Sequence, residues 1–469
     1  MPTDLDLVRQ ISAATSGNPV PKDSRLHLAI RPNARLICPI EMAGEDGSVQ
    51  IVATGPIGQP PAIYCVPEPR DRDCQGRLAG WLGRELLALF EETANEGTYP
   101  QIWTQSASSV DLLDTLSDRY RWSRVSEARL LGELLTYPAE RLPLLASKPC
   151  SRQRPRCACT GRPGLHPKMR STSALLAWLD PPDGVSPRDA ARVAERTPMG
   201  INTDPDFDRF RLDPAVSAYT AATRQSDHAA ARRAELTIRE ILTPVVTPIY
   251  EAVQRAISYL QAANLPPLPE LTALERREAA AFAWFMDQWR KGMKRRQRDS
   301  PARATREFAL REIDQENYDA ARITGDPLVR VAAELDGRVL RGVMTECGVN
   351  PNGKVWLALE SEVTALRLRP GDRLVSLDGG LVKAAVRTIV QQGSTARVVL
   401  DLSARRPALP SHGTPLSFGP PPANWGKAAR LGQRLKGRLT PPPWTHGANL
   451  PSSTPRLPPA DPLALVESL

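Results

Sequence analysis

Hydrophobic and polar positions follow three successive patterns along the chain. After an N-terminal arm at residues 1–24, extended runs such as RLICPIEMAG and SVQIVATG lead into an amphipathic stretch at 76–97. A further helix follows, which Ser109 is expected to cap. Strands and helices in this order predict a small α/β domain over residues 25–145.

A helical region is predicted at residues 174–327. Ser186 stands directly before Pro187, the arrangement of a capped helix start with proline at the first helical position. Pro244 and Pro248 predict a kink in the first of three long helices. These long helices are predicted at 235–263, 271–298 and 302–323.

From residue 328 to 403 the pattern changes to the strict alternation of half-buried strands. Five such runs, among them KVWLALES and ARVVLDLS, are separated by the turn sequences NPNG, RPGD, DGG and QGS. They predict a small β-barrel, and the Pro-rich stretch at 404–469 predicts a linker with one short helix. The chain is therefore expected to be a multi-domain protein of the α+β class.

The segment at 146–173 differs from its surroundings. It is rich in arginine, cysteine and proline and has neither an acidic residue nor apolar periodicity, which predicts a loop. Translation of a GC-rich gene in the wrong frame would give the same composition. Cys150, Cys157, Cys159 and His166 are soft metal ligands, but they lack the paired C-x2-C spacing of structural zinc sites. Zinc is therefore the weaker interpretation.

Charge and composition narrow the functional classes. The chain has 61 Lys and Arg residues against 52 Asp and Glu, and its net charge of +9 favours contact with phosphate backbones. A GC-rich gene would produce the same excess of arginine, so charge alone does not establish this function. No run approaches the ~20 apolar residues of a membrane span, and the 7 cysteines come without a secretory signal. These features predict a soluble, cytoplasmic protein.

The chain carries no complete catalytic motif. A phosphate-binding loop needs G-x-x-x-x-G-K-[ST] to hold ATP, and the nearest fragments, NPNGKVW and NWGKAAR, lack the final Ser or Thr. TDPDFDRF departs from a calcium loop at Arg209, where glycine is required. Glu41, Glu45 and Asp46 are weak candidates for nuclease acids, because a hairpin tip is their commoner location. No cofactor is predicted, and enzymatic activity is left open.

Basic residues gather at the end of the second long helix. Lys291, Lys294, Arg295 and Arg298 form a stripe that lies off the face carrying Leu, Phe and Trp. A solvated helix end favoured by the helix dipole is one interpretation of this stripe. A surface that contacts a nucleic-acid backbone is the other.

A family resemblance is carried by LRPGDRLVSLDGG followed by LVKAAVRTIVQQGSTARVVLDLS, where the GD turn begins a barrel strand. With the helix pair before it, 271–402 resembles the stalk and β-barrel of superfamily 1 helicases of the nonsense-decay type. The resemblance implies binding of single-stranded DNA or RNA. It adds the barrel cations Lys354, Arg369, Arg373 and Lys383 to the helix stripe as candidate contacts. The N-terminal domain resembles, without its acids, the RNase H-like domain that precedes some bacterial helicases.

The resemblance stops before an ATP-binding motor. PADPLALVESL looks like the helix that precedes the phosphate-binding loop, so the chain is expected to be truncated there and to act as an ATP-dependent helicase only with a downstream motor. The predicted function is that of a nucleic-acid-binding accessory region. The alternative is a non-enzymatic scaffold that uses the α/β domain and Pro-rich segments such as GPPPANW and PPPW to bind proteins.

The chain alone is expected to hydrolyse no ATP above background, because the groups that hold the triphosphate and magnesium are missing from its sequence. Phosphate release, measured with and without a single-stranded oligonucleotide, checks this expectation. Turnover that persists through further purification contradicts it.

Overall fold

The structure is a computed structural model. It describes residues 8–9, 11–12, 15–16, 23–27, 29–141, 172–196, 200–292, 301–351, 353–378, 383–403 and 411–422. The described residues up to 292 and from 314 to 422 belong to one compact unit, and residues 301–313 belong to a second. No helix in the described part of the chain is long and apolar enough to cross a membrane.

A four-stranded sheet forms the centre of the N-terminal part. Its strands are β1 (Arg35–Glu41), β2 (Val49–Pro56), β3 (Ala62–Cys65) and β4 (Ile102–Trp103). Their order is β3-β2-β1-β4, with β4 parallel to β1 and the other neighbours antiparallel. Strands β1 and β2 are buried on both faces, which is why their sequences are almost continuously apolar.

Helices cover both faces of this sheet. The described helices of this part of the chain are, in order, α1 (Arg72–Asn95), α2 (Ala107–Tyr120), α3 (Ser126–Arg141), α4 (Thr172–Leu179), α5 (Pro187–Glu195), α6 (Pro205–Phe207), α7 (Asp213–Arg224), α8 (His228–Ala262) and α9 (Leu271–Arg290). A π-helical turn at Asp208–Leu212 connects α6 to α7. Ile37 and Val52 pack against α1, α2, α3 and α9, whereas Leu36 and Ile51 pack against α8. The sheet and helices therefore form three layers.

Two helix starts test the capping predictions. Ser186 caps α5 by accepting a hydrogen bond from the Asp189 N–H at 3.2 Å, as the sequence predicted. The predicted cap of α2 is wrong, because Ser106 caps this helix and accepts from the Ser109 N–H at 3.2 Å. Ser106 has the extended backbone that a cap requires, whereas Ser109 lies inside the first turn.

Helix α8 is longer than the sequence predicted. It begins at His228, where Asp227 accepts a hydrogen bond from the Ala230 N–H, and not at residue 235. Pro244 and Pro248 lie inside the helix, which continues past both of them to Ala262. Its inner face covers the sheet, and this burial stabilises it despite the two missing backbone donors.

A closed barrel of six strands follows helices α10 (Pro301–Gly325) and α11 (Pro327–Leu335). Its strands are β5 (Leu340–Val349), β6 (Val355–Ser361), β7 (Arg373–Ser376), β8 (Lys383–Gln392), β9 (Thr395–Leu402) and β10 (Pro415–Gly419). The order around the barrel is β10-β5-β6-β9-β8-β7. Alternate residues such as Leu357, Val398 and Leu400 fill the interior. The predicted α+β class and small barrel are confirmed.

The barrel differs from the sequence prediction at both of its ends. The predicted strand region began at residue 328, but Pro327–Leu335 is helical because Asp326 caps it and proline occupies its first position. The sixth strand, Pro415–Gly419, lies in the predicted linker and pairs with β5 and β7. Its proline stands at the first residue of the strand, where proline is tolerated, and Phe418 is buried in the core.

An aromatic cluster joins α9 to the helical layer. Phe282 is fully buried, and its ring centroid lies 5.3 Å from that of Phe90 in α1 and 5.0 Å from that of Tyr137 in α3. Both contacts have the edge-to-face geometry that aromatic pairs prefer. Trp284, two residues along the same helix, is 58% exposed.

Replacement of Phe282 by alanine is expected to lower the free energy of unfolding by about 3–5 kcal/mol, because it removes a buried ring and leaves a cavity. Trp284→Ala is the matched control and should change stability by no more than about 0.5 kcal/mol. Denaturant titration followed by circular dichroism measures both. Equal midpoints for the two variants would contradict the described packing of α9.

Candidate nucleic-acid interface

Cross-strand register places four residues in one row on the outer surface of the barrel. Trp356 in β6 lies opposite Asp401 in β9, Asp401 lies opposite Ala385 in β8, and Ala385 lies opposite Arg373 in β7. Their neighbours along the strands, such as Leu400, point into the barrel. The four side chains therefore share the outer face, each beside the next, and the row crosses four neighbouring strands of the barrel.

Exposed cations gather at the Arg373 end of this row. Lys383 stands two residues before Ala385 on β8 and therefore lies on the same face. Arg367 and Arg369 come just before β7 and are also exposed. Among the described residues, none of these four cationic side chains has an ion pair or a side-chain hydrogen bond. We call Arg367, Arg369, Arg373 and Lys383 the cationic edge of the barrel.

An ion pair lies beside Trp356, the aromatic residue at the other end of the row. The Asp401 carboxylate accepts hydrogen bonds from Arg387 Nε, at 3.1 Å to each oxygen, and from Arg387 Nη2. The Arg387 guanidinium carbon lies 5.7 Å from the Trp356 ring centroid. The hydrogen bonds from Arg387 lower the pKa of Asp401 below its ordinary value. Arg387 and Asp401 are each about one third exposed, so the pair is in contact with solvent.

Three of the barrel cations that the sequence singled out are exposed on β7 and β8 or just before β7. Arg369, Arg373 and Lys383 all belong to the cationic edge. Lys354 lies directly before β6, beside the opposite end of the row, and its charge contributes to the lowered pKa of Asp401. The predicted barrel contacts therefore lie at both ends of the row.

The helix stripe is only partly described. Lys291 follows the last residue of α9, is exposed, and donates a hydrogen bond to Asp287 at 2.7 Å. Lys294, Arg295 and Arg298 lie outside the described residues. The stripe as a nucleic-acid contact therefore stays a prediction.

The sequence did not single out Trp356, Arg387 or Asp401. Trp356 lies between the buried residues Val355 and Leu357, at the position of the strand that faces solvent. An aromatic residue on the polar side of an alternating strand is a signal for binding that could have been used. The pairing of Arg387 with Asp401 depends on strand register, which single-strand patterns do not give.

The weak nuclease candidates lie in the hairpin between β1 and β2. Glu45 accepts a hydrogen bond from Arg70 Nε at 2.8 Å, and Asp46 is exposed in the turn. Glu41 accepts a hydrogen bond from the Gly47 N–H, and burial raises the pKa of its carboxyl. These contacts fit the hairpin interpretation of the three acids.

One group in the described part of the chain has the side chains for a metal site. Asp23, His27 and Asp326 offer ligand atoms that all lie within 4.8 Å of one another. The Arg322 guanidinium, however, lies 3.2 Å from Asp23, and a cation there opposes binding of a metal ion. The predicted zinc ligands Cys150, Cys157, Cys159 and His166 lie outside the described residues.

The same group fastens the N-terminal arm to the start of α11. Asp326 has no exposed surface and accepts backbone hydrogen bonds from Ser24 at 3.0 Å, Arg25 at 3.2 Å and Leu328 at 2.9 Å. His27 Nε2 lies 3.2 Å from the same carboxylate. We call residues 23–27 with Asp326 the N-terminal clasp. Its carboxylate oxygens are fully used, which fits a structural role.

Comparisons with family models, curated proteins and solved structures found no match to this chain. The helicase resemblance and the RNase H-like interpretation therefore stay predictions. Function has to be inferred from the barrel surface itself, because a fold alone does not determine function.

The clasp should make stability depend on pH. Burial alone would lower the pKa of His27, but hydrogen bonds to Asp23 and Asp326 raise it above its ordinary value, against the opposing charge of Arg322. The folded chain then holds a proton that the unfolded chain has released. Stability from His27 is present below the unfolded pKa, about 6.5, and is lost as pH rises through the folded value.

Unfolding midpoints measured between pH 5 and 9 check this expectation. Wild type should lose stability on the alkaline side of about pH 6.5, and His27→Gln should lose this part of the dependence. His228→Gln, a change at an exposed histidine in α8, is the matched control. A wild-type slope that survives in His27→Gln would assign the titration to another group.

Proposed function

We propose that the chain binds single-stranded nucleic acid along the outer surface of its barrel, as the accessory region of a superfamily 1 helicase-like protein. One observation carries this proposal: the cationic edge lies at one end of the outward-facing row of residues, and Trp356 lies at the other end. This arrangement combines cations without partners among the described residues with a partly exposed aromatic ring, and a row of outward-facing residues across four neighbouring strands connects the two.

The chemistry of single strands fits this surface. A phosphate backbone is attracted by arginine and lysine side chains, and Arg369, Arg373 and Lys383 offer such charges without first breaking an ion pair among the described residues. Bases of a single strand stack on aromatic rings whatever their sequence, and Trp356 is such a ring. Recognition of this kind gives binding with little sequence preference and strong salt dependence.

The position of the barrel in the chain supports the helicase context. Helices α10 and α11 lead directly into β5, and the closed barrel follows them, which is the order expected of a stalk and barrel. The proposed setting is cytoplasmic, with further protein contacts through the Pro-rich tail.

Removal of two charges from the cationic edge tests the proposal. Arg373→Ala/Lys383→Ala should weaken binding of a labelled single strand and lower the slope of log affinity against log salt by about 1.4, two contacts at about 0.7 each. Fluorescence anisotropy with oligo(dT) and oligo(U) of equal length, at several salt concentrations, measures both quantities.

The matched control removes the same net charge elsewhere. Arg188→Ala/Arg192→Ala changes two exposed arginines of α5 and should leave the slope near the wild-type value. If both double variants lower the slope equally, binding follows net charge and the barrel is not the site. If folded wild-type chain binds neither oligonucleotide at low salt, the scaffold interpretation takes precedence.

A further inference from the structure

The Arg387–Asp401 pair occupies the middle of the proposed binding surface. Asp401 lies in the row between Trp356 and Ala385, so its carboxylate is a negative charge between the aromatic ring and the cationic edge. Arg387 stands two residues beyond Ala385 on β8 and reaches across to β9. Beside the row there is therefore an arginine, Arg387, whose charge is already matched by Asp401.

The geometry of this pair imitates arginine bound to a phosphate. Two oxygens of Asp401 face the guanidinium edge, with Arg387 Nε 3.1 Å from each of them and Nη2 bonded to one. Carboxylate and phosphate present two acceptor oxygens at similar spacing, and arginine binds both in the same forked manner. A backbone phosphate that reached Arg387 would have to take the place of this carboxylate.

Solvent exposure allows such an exchange. Both side chains are about one third exposed, and exposed ion pairs of this kind contribute little to stability. Asn350 Nδ2, which donates to Asp401 at 3.2 Å, can hold the carboxylate after Arg387 has left it. The Trp356 ring beside the guanidinium would then be adjacent to the bound strand.

We propose that Asp401 is an internal competitor that occupies Arg387 until the phosphate of a single strand displaces it, so that the pair sets the affinity of the barrel. This inference rests on the proposed function, because it concerns the same surface. It makes Arg387 a nucleic-acid contact and Asp401 a residue that acts through Arg387.

Asp401→Asn in the full chain tests the inference. The change keeps the size of the side chain and an oxygen for Asn350, and it removes the charge that competes with phosphate. Affinity for oligo(dT) should rise about two- to fivefold, the effect expected for loss of one exposed ion pair. The salt slope should change by less than about 0.7, the contribution of one phosphate contact on a single strand, because the strand reaches Arg387 in both proteins.

Glu346→Gln is the matched control. Glu346 in β5 accepts a hydrogen bond from Arg397 at 2.6 Å, so this change also frees one arginine and raises the net charge by one. The freed Arg397 lies on β9, on the same outer face as Asp401, so the control frees a neighbouring arginine and leaves Arg387 paired. Equal unfolding midpoints for both variants and wild type ensure that the binding data compare folded proteins.

A second experiment uses the Arg387→Gln variant as the starting protein. It distinguishes an effect of Asp401 that acts through Arg387 from a general effect of charge. In Arg387→Gln, the added change Asp401→Asn should give no gain in affinity, because no arginine is left to release. A gain that persists in this background overturns the inference. A gain as large in Glu346→Gln as in Asp401→Asn overturns it too.

The two proposals fail in different ways. If wild type binds and the cationic edge controls its salt slope while Asp401→Asn changes nothing, the inference is wrong and the proposed function stands. If neither wild type nor Asp401→Asn binds at low salt, both are wrong.

Discussion

The connection between the N-terminal arm and α11, the helix that precedes the barrel, depends on the buried carboxylate of Asp326. A carboxylate without exposed surface is stable only while its oxygens are hydrogen bonded, and here the donors come from the N-terminal arm and from the first turn of α11. The same arm forms a β-bridge from Leu26 to Pro267, just before α9. The carboxylate that caps α11 is therefore fully hydrogen bonded only when residues far apart in sequence meet.

Local patterns predicted the elements better than their boundaries and contacts. The alternation of KVWLALES and ARVVLDLS identified β6 and β9 because each strand buries only one side in the barrel interior. Strand order in the N-terminal sheet could not be predicted, since β1 and β2 are apolar on both faces and carry no register signal. Strand β10 was hidden by the proline-rich composition around it, and only its pairing with β5 and β7 reveals it.

The candidate site was also predictable only in part, because the pattern along one strand does not give the register between strands. Exposed cations such as Arg373 and Lys383 can be read from alternation, because their neighbours along each strand are buried. The partner of a charge cannot be read in this way, and Arg387 and Arg373 have similar sequence surroundings but different environments. Arg387 is matched by Asp401, whereas Arg373 has no ion pair among the described residues. Register therefore decides which arginines are available to a ligand.

Closure of the barrel has a consequence for the order in which the chain can fold during synthesis. Strand β10 completes the ring between β5 and β7, and it is the last of the six barrel strands to leave the ribosome. A nascent chain that ends after β9 has both of these edges unpaired, and open edges are templates for pairing with other chains. The segment up to Gly419 therefore decides whether the newly made barrel is protected from aggregation, although it contributes no residue to the proposed binding surface.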